Sequence, residues 1–165
     1  MKNNDPSKNW MKISKNFTLK ELTKSSTGER LGIDNSVKDQ ETLVNLCALT
    51  HNILQKIREE HGRTTVNSSY RSLDLNRAIK SSDKSQHVKG EAADIECPSI
   101  DNFKLAKWIA SNLDFDMVLL EFYTQGIPDS GWVHVSYKAD GNNREKELTA
   151  MKIKGKTVYK EGLIG

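Results

Sequence analysis

Cysteine is scarce in this chain of 165 residues: there are two, Cys47 and Cys97, too few for a disulfide scaffold or a zinc ribbon. Cys47 falls on the apolar side of a predicted helix, where a small buried thiol is expected. Long apolar runs are missing as well, and none approaches the roughly 20 residues a membrane span requires. The N-terminal stretch "MKNNDPSKNWMKISKNF" has no apolar segment of the secretory type, so the expectation is a protein made in a cytoplasm and soluble there. Charge of one sign is also missing. The formal net charge is +3, with Lys and Asp/Glu interleaved, which leaves no basic arm for nucleic acid. A weakly basic surface of this kind still attracts anionic polymers, a bacterial cell wall among them. There is no internal repeat and no low-complexity segment.

What is present suits one ordinary core. The chain is 36% hydrophobic and 28% charged, as in a globular domain. Residues 1–15 read as a loose lead-in and residues 16–165 as a single domain, expected to be a monomer. Thr18 and Glu21 have capping-box spacing at the start of a short helix. The turn-rich stretch 24–36 reads as a loop. Ser36 then caps a long amphipathic helix carrying Leu43, Leu46, Cys47, Ile53, Leu54 and Ile57, closed by Gly62. "TTVNSSY" reads as a strand, and Ser72 caps the helix after it. "AADIEC" is a short strand and Ser99 caps a further helix. "DMVLLEF" and "WVHVSY" are strands, and the tail is a strand or hairpin turning at Gly155. Early helices and late strands predict an α+β fold, with N-terminal helices packed on a mainly antiparallel sheet.

One stretch, "SSDKSQHVKGEAADIECPS", concentrates chemistry. His87 is followed by Gly90, which can turn the chain at backbone angles other residues avoid, and then by Asp94 on a strand. An imidazole and a carboxylate brought together this way make two ligands of a metal site, and a catalytic zinc needs three. Of the other histidines, His51 lies within the long helix and His61 at its C-terminal end, where both read as structural. His134 sits mid-strand in "GWVHVSY" and shares a strand face with Trp132 and Ser136, while Val133 and Val135 point the other way. Spacing leaves two readings open for His134, a satisfied core histidine or the third ligand.

The pattern "SQHVKGEAADI" followed by "WVHVSY" resembles the M15 peptidases, the zinc D-Ala-D-Ala carboxypeptidase and L-Ala-D-Glu endopeptidase group, in the branch common in bacteriophages. "FTLKELTKS", "RLGIDN", "VNSSYRS" and "LNRAI" sit where that family has comparable segments, so the likeness spans most of the chain. The resemblance implies Zn2+ held by His87, Asp94 and His134, and hydrolysis of peptide bonds in peptidoglycan stem peptides. It also implies a phage endolysin, held in the host cytoplasm until released to the wall, or a virion-associated enzyme.

That chemistry requires a carboxylate to take a proton from the attacking water and return one to the leaving amine. Many M15 enzymes place it three residues before the last histidine ligand, where this chain has Gly131. Glu91, Glu96, Glu121 and Asp129 remain as candidates. Glu121 is the choice, because it ends a strand expected to pair with that of His134. A solvated strand-end carboxylate is the alternative. By the same resemblance Arg71 holds a substrate carboxylate or steadies the oxyanion, against the plainer reading of a surface ion pair. Ser85 supports a ligand or the substrate, or is a plain loop serine. Trp132 and Tyr137 line the cleft or simply pack in the core. The departure at Gly131 keeps a different class in play, an inactive zinc-containing wall-binding or virion structural module.

Overall fold

The computed structural model describes residues 11–165. Most of the lead-in, residues 1–10, therefore lies outside the described residues. In its last part Ile13 is buried, as is Phe17 just beyond it, and the Ser14 hydroxyl donates to Gln55 Oε1 at 2.7 Å.

Local signals set most of the element starts. Thr18 opens α1 (Leu19–Thr23) through the expected capping box, its amide donating to the Glu21 carboxylate at 2.8 Å. The stretch expected as a loop contains a six-residue helix, α2 (Ser26–Leu31). Its short length carries no apolar period; caps define it, Ser25 at the front and left-handed Gly32 at the back. The long helix begins at α3 (Gln40–Leu49), capped by Asp39 rather than Ser36, whose amide instead donates to Asp34. A π-helical turn, Thr50–Leu54, joins it to α4 (Gln55–His61). At that turn the Thr50 hydroxyl donates to the Leu46 carbonyl at 2.7 Å. Leu46, Leu49, Ile53, Leu54 and Ile57 are all fully buried along this run. Ser72 caps α5 (Leu73–Ala78) as expected, whereas α6 (Asn102–Asn112) is capped by Asp101, and the Ser99 hydroxyl donates to the His61 carbonyl.

Six strands form one sheet: β1 (Thr65–Ser68), β2 (Ala92–Glu96), β3 (Met117–Glu121), β4 (Trp132–Ser136), β5 (Lys146–Ile153) and β6 (Lys156–Glu161), in the order β1-β2-β4-β3-β5-β6. Every neighbouring pair is antiparallel except β3 with β5. The tail hairpin turns at Gly155, as read from the sequence. The fold is thus α+β with a mostly antiparallel sheet.

Alternation along the strands separates core from site. Ile95, Val118, Leu120, Val133 and Val135 belong to the buried cluster that also includes Leu46, Leu49, Ile53, Leu105 and Ile109 of the helices. The residues between them, Asp94, Leu119, Glu121, Trp132 and His134, must project from the opposite face. The apolar half of each strand anchors the sheet, and the other half is free to carry chemistry.

Candidate metal centre

Register brings the two strand ligands side by side. Asp94 pairs directly with His134 across β2 and β4, and His134 pairs with Leu119 of β3. The third group arrives from the loop before β2. That loop turns at Gly90 (φ +73), whose amide donates to the His87 carbonyl at 3.3 Å. A Cβ there would lie 2.8 Å from the Thr42 carbonyl oxygen, so glycine lets the loop close down on α3.

The three side chains converge on one oxygen. His134 Nδ1 is 3.0 Å and His87 Nε2 3.4 Å from Asp94 Oδ1. One ligand atom from each of His87, Asp94 and His134 lies within 4.8 Å of the others, a group able to hold a metal ion. His87 Nδ1 lies 2.7 Å from the Ser69 carbonyl oxygen. A carbonyl only accepts, so this contact places the proton on Nδ1 and leaves the Nε2 lone pair facing Asp94, as in metal-ligating histidines generally. Burial pushes the His87 pKa down, favouring the neutral ring that a metal requires. Burial alone would raise the Asp94 carboxyl, but the His134 and His87 side chains hold it well below the usual carboxylate range.

Arg71 takes the other Asp94 oxygen, with Nη2 at 3.5 Å from Oδ2. Its Nε donates to the Ser68 hydroxyl at 3.1 Å and its Nη1 to Asn76 at 3.3 Å. The guanidinium is thus part of a buried arrangement beside the metal group and not a surface ion pair. Three of its five N–H donors are used in these contacts, which leaves donors for a ligand. Ser85 lies in the turn before His87, and its hydroxyl accepts from the His87 amide at 3.3 Å. Trp132 packs edge-on against Phe122, with ring centroids 5.4 Å apart. Its buried indole N–H makes no hydrogen bond of ordinary geometry among the described residues, yet it stands near enough to the Glu121 carboxylate to favour the charged form.

Glu121 stands opposite Trp132 in the β3–β4 pairing, on the metal face. Burial raises its pKa, the Asp94 charge adds to that, and His134, the Trp132 indole and Arg71 pull it back. It therefore shares an electrostatic environment with the three converging groups. The other carboxylates do not. Glu96 accepts from Asn67 at 2.6 Å, Asp129 is exposed beside the start of α6, and Glu91 lies near Lys138 and Asp116. His51 is exposed, with Nδ1 against the Cys47 carbonyl, and His61 packs edge-on against Trp108. Neither joins the cluster.

Gly131 explains why no acid precedes His134 by three residues. It has φ +63, and a Cβ there would fall 1.9 Å from the Glu121 carbonyl oxygen. The β3–β4 loop crosses the end of β3 too closely for any side chain. Gly131→Ala should destabilise the fold by about 1–3 kcal/mol or more through forced backbone shifts. Denaturant titration measures this, and an unchanged midpoint would mean the loop is freely displaced.

Sequence reasoning missed the Ser69 carbonyl, the Gln86 side chain and Asp116. The first is a backbone group with no sequence signal. The other two become visible only when remote segments meet.

The His/Asp/His group at the sheet face, with a carboxylate and a guanidinium beside it, is able to hold a metal ion. The family described as Peptidase M15 matches residues 15–136, which include every residue of this group. The chain belongs to that family and is a metallopeptidase by its membership. A comparison with curated proteins finds no match.

Proposed function

We propose that the protein is a zinc peptidase acting on peptidoglycan stem peptides, of the phage endolysin type. The observation that carries this reading is the approach of His87 Nε2 and His134 Nδ1 to the same oxygen of Asp94. Two imidazoles and one carboxylate suit zinc, and three protein ligands leave a position open, as catalytic sites do. What zinc supplies there when bound is Lewis acidity, acidifying a water and polarising the scissile carbonyl.

The remaining work falls to side chains. Glu121 accepts the proton of the attacking water and delivers one to the leaving amine. Arg71, through its unused donors, holds a substrate carboxylate or the developing oxyanion. Ser85 keeps the His87 backbone in place, and Trp132 walls the cleft at Glu121. The substrate bond is L-Ala-D-Glu or D-Ala-D-Ala. We favour the former, because a lysis enzyme must open cross-linked wall. In this role the protein acts as a monomer from the host cytoplasm once the membrane is opened, or from a virion.

Purified protein supplied with zinc is expected to release new amino groups from isolated cell walls. Mass spectrometry of the digest should show termini at L-Ala-D-Glu. Free D-alanine as the sole product would replace this specificity with carboxypeptidase action. Sedimentation with walls and no released amines would instead identify an inactive wall-binding module.

A further inference from the structure

The most completely buried charge among the described residues takes no part in the proposed hydrolysis. Asp116, immediately before β3, is 0% exposed, yet its carboxylate meets donors from two separate segments, the β4–β5 connection and the loop before β2. Arg144, ahead of β5, donates to Oδ1 from its amide (3.2 Å) and Nε (2.9 Å), and to Oδ2 from Nη2 (2.6 Å). Lys138, just past β4, places Nζ 3.4 Å from Oδ1. Gln86 donates to Oδ2 at 2.9 Å from the loop that carries His87. A buried ion pair of this kind is weak evidence for stability, because desolvation offsets much of the attraction. Its use must be sought in what it holds.

It holds two ligand-bearing segments at once. The Asp116 amide donates to the Ser136 carbonyl at 2.8 Å, two residues past His134 on β4. Gln86 is the residue before His87. Its side chain ends on Asp116, and its carbonyl accepts from the Lys89 and Glu91 amides at 3.2 and 3.0 Å. The His87 loop is thereby tied through one residue to the strand of His134, by the Asp116 carboxylate on the loop side and its backbone amide on the strand side, independently of the contacts at Asp94.

We infer that Asp116 is a positioning residue which, acting through Gln86, sets the spacing of His87 and His134 and so the affinity of the site for its metal. This inference rests on the proposal that the three converging groups hold zinc. Groups that orient metal ligands typically contribute a factor of about 10–100 in affinity. Asp116→Asn keeps the volume but turns one acceptor into a donor facing Gln86 or Arg144. Gln86→Met keeps the length of the arm, leaves the Asp116–Arg144 pair intact and cuts the link to the loop, together with the Gln86 contact to Glu91 within that loop.

The test is zinc affinity, measured by competition with a chromophoric chelator, together with the melting temperature of the metal-free protein. Both variants are expected to bind zinc about 10–100-fold more weakly. The Gln86→Met protein should melt close to wild type without metal. Should Asp116→Asn fail to fold, Gln86→Met decides alone. Wild-type affinity in Gln86→Met, whatever its melting temperature, would overturn the inference and make the network scaffold only. A wild-type protein that binds no zinc would sink the metal reading itself, a distinct result.

Discussion

Glu121→Gln is expected to retain its metal while hydrolysis of cell wall falls by about 10²–10⁴-fold, the usual worth of general acid–base catalysis. The substitution preserves size and removes basicity. The carboxylate is partly buried on the metal face, in the fields of Asp94, His134 and Arg71, and Gly131 excludes an acid from the other position where the family often carries one. Asp129→Asn serves as the control, since Asp129 is exposed in the β3–β4 loop, and its rate should stay near wild type. Initial rates of amine release, with metal content measured alongside, make the comparison. Near-normal turnover in Glu121→Gln with a dead Asp129→Asn would move the proton transfer to the loop.

Loss of the metal itself is the second large effect. His134→Ala removes one of the three proposed ligands, so bound zinc after desalting should fall sharply and activity should disappear with it. The cost extends beyond one bond. Asp94 Oδ1 faces both rings, and without His134 the carboxylate keeps His87 and Arg71 but loses its partner across the strand pair. Chelation of the wild-type protein should mimic the variant, and added zinc should restore only the wild type. Elemental analysis showing full occupancy in His134→Ala would remove that residue from the site.

How much of this was legible in the sequence depends on the range of the forces involved. Capping by Thr18 and Ser72 is a matter of three or four residues, and those starts were readable. Alternation around His134 separated Val133 and Val135 from the site face, because strand geometry alone fixes the parity. Where several short polar residues competed, the sequence offered no ranking. Ser36 and Asp39 both stand before α3, and Asp39 wins by accepting from the Thr42 amide, while Ser36 is drawn into a turn with Asp34. Ser99 lost to Asp101 in the same way, its hydroxyl drawn to the end of α4. The convergence of His87 with the strand residues needed the family likeness, since spacing alone left His134 open. Gln86 and Asp116 are 30 residues apart, and no local rule links them.

The C-terminal hairpin has a consequence for behaviour in concentrated solution. The family match ends at Ser136, and β5, beyond that point, occupies the flank of β3 that would otherwise present free amides and carbonyls. Such an open row templates pairing with another chain, the usual first step of edge-to-edge aggregation. The sheet instead ends on β6, where Lys156, Lys160 and Glu161 are exposed, and on β1, which has four residues and an irregular register between Val66 and Ser68. Charge guards one border, shortness and a bulge the other. The strand bearing Glu121 is thereby kept from self-association.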